Sequence, residues 1–490
     1  MKLLLSCLCL FLSLAFPVQA LAVSLTLINA DSDLPIVTYD PLVTGVTLDL
    51  ATLPTRNLNV RANTEPGFTG SVVFGLDGNP NFRTESTAPY ALFGDSAGNY
   101  NAGTFTVASH TITATQSNGP SVSVTFNVVD SNPPPYFPPS EANGGWRRLV
   151  PRSATPTAQQ KADVLATCGL NWDTLHQAKL RSDQLTTSTT ILVIRHGWVC
   201  YEWGSTSNYL VHSVTKSFTG MAWGKLMEQT GITRDDFVHP YLPLAFGDSH
   251  PSKRLINFRQ MFTMSSGIEP RDGQPATFPL VIFDDALTYP MSAQPGTEWA
   301  YTSLVPNLLS VSLQGITASS LRSYFNLQIL NPIGVPAISS TNWATWFDYT
   351  NGAAGAKISA RNVARLGYLL LHQGNWNGTQ ILNPQTVAAW TNWEPALEFA
   401  TLFKIAGVGF ATDPDSHFYY GGGLFWTNRE GRSLGLSVPV DAFYMHGWND
   451  NLVITIPSLD LIAVRLSGGG PGADPQFRRD FTNLIVGAVQ

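Results

Sequence analysis

Ser213 and Lys216 stand first and fourth in the run His212-Ser213-Val214-Thr215-Lys216-Ser217-Phe218, which leads into a helix-compatible stretch ending near Met227. On a helix, positions i and i+3 share a face, so this spacing sets a hydroxyl beside an ammonium. The start of a helix adds N–H groups without helical partners and a partial positive charge. A serine, an amine and an electropositive end together make an activated nucleophile. A lysine partly desolvated among other positive charge loses proton affinity and can serve as a base. Ser-x-x-Lys occurs once in the chain, since no other lysine has a serine three residues before it. The motif alone does not exclude an ordinary helix start, with Ser213 as cap and Lys216 solvated.

The elements around this stretch must hold it in a cleft, and the chain is long enough to do so. It has 490 residues, of which 44% are hydrophobic and 13% charged, ample for a large core and for two or more domains. A net charge of −6 leaves no basic footprint, so nucleic acid is not expected as a partner. Thirteen Trp and 26 Phe suit an aromatic cleft and a β-rich core equally well.

Residues 1–20 read as an export signal. Lys2 precedes the apolar run Leu3–Phe16, and Val18 and Ala20 fit cleavage after Ala20. The run is short for a membrane span, and Cys7 and Cys9 lie inside it rather than at a lipoprotein boundary. The expected location is secreted or periplasmic, with no membrane span. Cys168 and Cys200 then remain in an oxidising compartment, where a disulfide and two buried thiols are both open. No Cys/His cluster has zinc spacing, and neither a metal nor a cofactor is expected.

Residues 24–130 are β-like. Ser24-Leu25-Thr26-Leu27-Ile28, Ser71-Val72-Val73-Phe74 and Val122-Ser123-Val124-Thr125-Phe126 alternate, with turn signals such as Asp77-Gly78-Asn79-Pro80 between strands. An antiparallel sandwich is expected. A proline-rich stretch beginning at Ser131 marks a linker over 131–145. A chain starting near Gly144 is therefore expected to fold and to keep its chemistry. From 146 to 490 strands and helices mix. Ala158–Leu180 reads as helix interrupted at Gly169. Thr190–Ile194 and Trp198–Glu202 read as a hairpin across Arg195-His196-Gly197. Leu452–Ile456 and Leu461–Leu466 read as apolar strands around Pro457-Ser458-Leu459-Asp460. The two early and two late strands could share one antiparallel sheet with helices packed on it.

The order of motifs carries a resemblance. A hairpin is followed by His212-Ser213-Val214-Thr215-Lys216-Ser217-Phe218, then by Leu255-Ile256-Asn257-Phe258 to Gly267. Pro295-Gly296-Thr297-Glu298-Trp299-Ala300-Tyr301-Thr302-Ser303 and Asn377-Gly378-Thr379-Gln380 come next, and Phe443-Tyr444-Met445-His446-Gly447-Trp448 stands last. Residues 146–490 thereby resemble the serine β-lactamase-like hydrolases: class C β-lactamases, D-alanyl-D-alanine peptidases, related esterases and 6-aminohexanoate-dimer hydrolases. The resemblance implies an α/β (α+β) β-lactamase and penicillin-binding-protein-like catalytic domain, an antiparallel sheet flanked by helices plus a helical region. The all-β sandwich before it resembles bacterial immunoglobulin-like modules, which implies a spacer or a surface for a polymer or cell-surface ligand.

By this resemblance Ser213 is the acylated nucleophile and Lys216 its proton acceptor. Tyr301 matches the tyrosine of the family's Tyr-x-Asn motif and relays a proton. Ser303 replaces the Asn. Tyr324-Phe325-Asn326 and Tyr349-Thr350-Asn351 match Tyr-x-Asn literally but do not follow the Pro-Gly-Thr turn. Gly447 matches the glycine of the third motif, Lys-Thr-Gly, so Met445 and His446 stand where lysine and threonine would. The oxyanion donors implied are the backbone N–H groups of Ser213 and Trp448. Ser303, His446, Gly447 and Trp448 are the implied substrate contacts, and Trp299 with Trp448 could line an apolar wall. The expected activity is hydrolysis of a small ester or amide. D-peptidase or β-lactamase activity and a catalytically inactive binding protein are the alternatives.

Overall fold

The computed structural model describes residues 23–130, 136–242, 251–269, 290–346, 349–402, 420–472 and 474–490. The proposed signal segment and residues 131–135 of the expected linker lie outside the described residues. The chain divides into two compact units, Met1–Pro134 and Pro135–Gln490.

The first unit is built from short alternating strands. β1 (Ser24–Asn29), β2 (Leu34–Pro35), β4 (Leu58–Asn63) and β7 (Tyr90–Ala91) form one sheet in the order β2-β1-β4-β7. β3 (Thr47–Asp49), β5 (Val72–Leu76), β6 (Asn79–Glu85), β8 (Ser109–Gln116) and β9 (Ser121–Val129) form a second, in the order β3-β9-β8-β5-β6. Along β8, His110, Ile112, Ala114 and Gln116 are buried while their neighbours are not, the period-2 pattern of a sheet with one wet face. Leu25, Leu27 and Val60 from one sheet share a core with Val72, Phe74, Ile112 and Phe126 from the other.

In the second unit, α1 (Ala158–Cys168) begins on a capping box, Thr157 with Gln160, and ends at Gly169 with φ +58°. Helix continues as α2 (Trp172–Asp183). β10 (Thr189–Arg195) and β11 (Trp198–Trp203) form a hairpin whose turn residues, His196 and Gly197, both have positive φ. β12 (Trp426–Thr427), β13 (Phe443–Gly447), β14 (Asn451–Ile456) and β15 (Leu461–Ser467) complete a six-stranded antiparallel sheet, order β11-β10-β15-β14-β13-β12. The early hairpin and the late strands meet where β10 pairs with β15.

Between the two groups of strands lie most of the helices: α3 (Val214–Thr230), α4 (Phe258–Phe262), α5 (Leu304–Thr317), α6 (Leu321–Phe325), α7 (Ala360–Leu371) and α8 (Pro384–Thr391). α9 (Pro475–Val486) follows the last strand. α3 is buried almost all round, as a central helix must be if it is apolar on every face. Phe218 stacks on Phe325 of α6 at 5.1 Å, and the Trp223 indole N–H donates to Leu309 O of α5 at 2.9 Å.

The linker is shorter than its proline content suggests, because residues 136–145 belong to the second unit. The Phe137 ring sits 5.6 Å from Tyr368, 5.0 Å from His372 and 5.3 Å from Trp376. The fully buried Arg365 of α7 donates to Pro138 O, Pro139 O and Glu141 Oε1. Glu141 Oε2 accepts from Arg361 at 3.1 Å. The carbonyls solvate a buried cation and the Glu141 carboxylate opposes its charge, so the segment is tied to the second unit.

Cys168, at the end of α1, and Cys200, in β11, form a disulfide 32 residues apart in sequence, with both residues fully buried. In the chain-entropy account, closing a loop of that size stabilises by about 3–4 kcal/mol. Replacing both cysteines by serine is expected to lower the unfolding free energy by about that amount, with an m-value that rises because the unfolded chain, no longer cross-linked, exposes more surface. A change below about 1 kcal/mol in equilibrium unfolding would show that the bridge contributes little.

Candidate active site

The site is organised at the N-terminus of α3. Tyr209–Leu210 pair with Lys357–Ile358, and Val211 N–H donates to Ala356 O at 2.9 Å. This lays the approach to the helix along the 351–358 segment. His212 then takes a left-handed φ of +49°, turning the chain sharply into Ser213. The His212 carbonyl accepts from both Thr215 N (3.0 Å) and Thr215 Oγ1 (2.7 Å), which locks the turn. Burial, then the neighbouring Lys216 charge, hold the His212 imidazole below its ordinary pKa.

Ser213 occupies the N-cap position, yet its side chain makes no cap hydrogen bond. Its Oγ accepts from Lys216 Nζ at 2.9 Å. Lys216, 2% exposed, also donates to Ala353 O at 3.1 Å and to Ser303 Oγ at 3.3 Å. An ordinary solvated helix-start lysine would make none of these contacts. The Tyr301 ring centroid lies 4.9 Å from Lys216 Nζ, a cation–π distance. Ser213, Lys216, Tyr301 and Ser303 are thus brought together from α3 and the entry to α5.

Ala353 carries no side-chain chemistry and could not be picked out from sequence, but its carbonyl is built into place. Asn351 Oδ1 accepts from Ala353 N and Ala354 N, both at 2.9 Å. Asn307 Oδ1 of α5 accepts from Gly352 N at 2.9 Å, and Thr219 Oγ1 of α3 donates to Gly352 O at 2.7 Å. A Cβ on Gly352 would stand 2.2 Å from Pro306 O, so only glycine fits. The second literal Tyr-x-Asn match, Tyr349-Thr350-Asn351, therefore contributes its Asn as a loop clamp. The Tyr324 hydroxyl of the first match donates to Gln229 near the far end of α3, away from Ser213.

Gly447 ends β13 against the start of α3. A Cβ there would lie 2.1 Å from Val211 O and 3.1 Å from Ser213 N and Val214 N. The glycine is demanded by this approach, since its φ of −135° is one any residue adopts. Trp448 follows, 42% exposed. His446 is buried, with Nε2 3.2 Å from Asp450 Oδ1. Burial, despite Asp450, holds its pKa below the usual histidine value.

One expected surface is absent. Trp299 is 1% exposed and does not line a wall. It packs 5.6 Å from Tyr420, 6.2 Å from Trp426 and 6.3 Å from Tyr301, an aromatic bed that backs Tyr301. A run of apolar spacing could not distinguish the two roles, because an aromatic next to Tyr301 can face either way.

The fold and this constellation define a class, which comparison with known proteins makes explicit. The Beta-lactamase family model matches residues 178–486, and the chain belongs to that family. A crystal structure provisionally named a β-lactamase, from Bacteroides dorei DSM 17855, superposes with a TM-score of 0.52 at 18% identity, covering 64% of this chain and 98% of that one. At that identity the likeness is one of fold. A Bacillus anthracis structure provisionally named a 6-aminohexanoate-dimer hydrolase gives a TM-score of 0.49 at 19% identity, over 63% of this chain and 80% of that one. Among curated proteins, Protein flp of Staphylococcus aureus strain COL is 24% identical over 155 residues, 29% of this chain. That match spans 30% of the relative's length. No helix among the described residues is long and apolar enough to cross a membrane.

Proposed function

We propose that the chain is an exported serine hydrolase that cleaves small, uncharged esters or amides through a covalent acyl-enzyme on Ser213. The observation that carries this reading is Lys216 Nζ, held at once by Ser213 Oγ, Ser303 Oγ and Ala353 O. Ser213 Oγ attacks the acyl carbonyl carbon. Lys216 acts as the neutral amine, donating to Ser303 Oγ and Ala353 O and taking the Ser213 proton on its lone pair, and Tyr301 relays that proton to the leaving alkoxide or amine as the C–O or C–N bond breaks. Water then attacks the acyl-serine ester by the reverse proton path, releasing the acid and restoring Ser213. The Ser213 and Trp448 N–H groups stabilise the tetrahedral oxyanion, a task for backbone donors that tolerates the Met445-His446-Gly447 sequence. Reaction of the purified protein with a fluorophosphonate, followed by peptide mapping, tests this: an adduct on Ser213 is expected, and an unlabelled, ester-inert protein would favour a binding role. Residues 24–130 are proposed as an immunoglobulin-like module acting as a spacer or polymer-binding surface. The buried Cys168–Cys200 disulfide supports an oxidising location.

Substrate charge decides between the reactions open to such a site. A β-lactam or D-peptide presents a carboxylate that a lysine of the third motif would help bind. Here Met445 is buried and neutral, and His446 is held neutral by burial and faces the Asp450 carboxylate. Losing a charge-assisted hydrogen bond costs about 1.5–3 kcal/mol, roughly ten- to a hundredfold in specificity. A short-chain aryl ester is therefore expected to exceed both a penicillin and a cephalosporin in kcat/KM by at least tenfold. Either β-lactam proving the better substrate by tenfold would put β-lactamase or D-peptidase activity first.

A further inference from the structure

Residues 448–450 connect β13 to β14, and two consecutive non-glycine residues in this connection, Asn449 and Asp450, have left-handed φ values of +61° and +50°. Side chains other than glycine seldom hold such a pair unless the surroundings over-determine it. The surroundings here are two fully buried side chains on the central strands, Asn451 of β14 and Arg465 of β15. Asn451 Nδ2 donates to Trp448 O at 2.7 Å. Arg465 Nη1 donates to Asn449 O at 2.7 Å and to Asp450 O at 2.9 Å. All three carbonyls of the connection are thus gripped from within the sheet.

The grips are themselves anchored. Asn451 Oδ1 accepts from Ser467 N at 2.9 Å, and Arg465 Nε donates to Ser182 Oγ of α2 at 2.7 Å. The Asp450 carboxylate accepts from Asp474 N at 2.9 Å and faces His446. Burial lowers the Arg465 pKa to about 10, against the opposing charges of Asp450 and Asp183, so the guanidinium remains cationic at neutral pH. On the other side of Trp448, Gly447 is pressed against Val211 and the Ser213 amide. Trp448 is therefore held on both sides, by the packing of Gly447 before its N–H and by the grip on its carbonyl, in the next peptide unit, after it.

We infer that Asn451 and Arg465 are positioning residues that aim the Trp448 N–H at the acyl oxygen. The inference rests on the proposed hydrolase reading, in which Trp448 supplies the second oxyanion donor. Such a donor acts only when charge develops on the oxygen, so loosening it lowers turnover rather than substrate affinity.

The test uses the full chain. Asn451→Asp is isosteric and keeps the acceptor for Ser467 but loses the donor to Trp448. Arg465→Lys keeps the charge and loses the two-carbonyl grip. Kinetics on a short-chain aryl ester, normalised to sites titrated with a fluorophosphonate, are expected to show kcat down tenfold or more with KM within about twofold. Affinity for an arylboronic acid, whose tetrahedral adduct carries the oxyanion, is expected to fall by a matching factor. A kcat per titrated site within twofold of wild type, whatever happens to Tm, overturns the inference. Ser182→Ala, which frees Arg465 Nε but leaves the guanidinium, carries the same test at about threefold where Arg465→Lys yields no titratable sites. A wild-type protein that neither labels at Ser213 nor turns over ester would fail the hydrolase reading itself. Active wild type with indifferent variants fails only the positioning role.

Discussion

Ser213→Ala is expected to lower ester turnover by at least about three powers of ten while leaving the fold intact, because the residues of such a centre act as a unit. The Ser213 hydroxyl makes no cap hydrogen bond, so its removal deprives α3 of nothing but the contact to Lys216. Tyr301→Phe is expected to lose most activity as well, since it keeps the ring against Lys216 and Trp426 and removes only the hydroxyl, the proposed proton relay. Tyr349→Phe is the control and should stay within a few-fold of wild type. Steady-state rates beside circular dichroism decide the matter. Near wild-type turnover in folded Ser213→Ala would dismiss the nucleophile, and a loss at Tyr349 without one at Tyr301 would reassign the proton relay.

Two truncations are expected to differ sharply. A chain beginning at Tyr136 retains Phe137, Pro138, Pro139 and Glu141, and should keep both stability and catalytic constants on small substrates. A chain beginning at Gly144 strips Arg365 of three of its four acceptors and leaves only Ile333 O, at 3.1 Å. Breaking a buried charge from its partners typically costs about 3–5 kcal/mol, and the Phe137 contacts are lost as well. Urea unfolding should separate the two chains by at least about 3 kcal/mol. Equal midpoints would mean that the 136–143 segment is an ornament on the hydrolase unit, and that the proline-rich stretch ends where its composition suggests.

The pairing of Ser213 with Lys216 was legible in the sequence because a fixed i, i+3 spacing survives folding unchanged. So was the hairpin at His196-Gly197, whose paired positive φ values need residue types that announce themselves. Ala353 was not legible, since a backbone carbonyl has no signature and reaches Lys216 only through Asn351, Asn307 and Thr219, three polar residues on separate elements. The orientation of Trp299 was misjudged because apolar composition says that a ring is buried or lines a wall without saying which. The linker was overextended for a related reason. Proline favours extended backbone, but extended backbone also offers carbonyls, and Arg365, more than two hundred residues away, collects them.

The pairing of β10 with β15, Thr189 against Ser467, has a consequence for the order in which the molecule can form. The hydrolase sheet is closed by contacts among the most distant in its sequence, and such contacts come late because a long loop must first be closed. The first hairpin and its disulfide are local and can form early. The sheet, and with it Gly447 against the Ser213 amide, waits for the last strands to arrive. A chain still emerging from a ribosome thus carries the Ser213–Lys216 pair without Gly447, the strand end that packs against it.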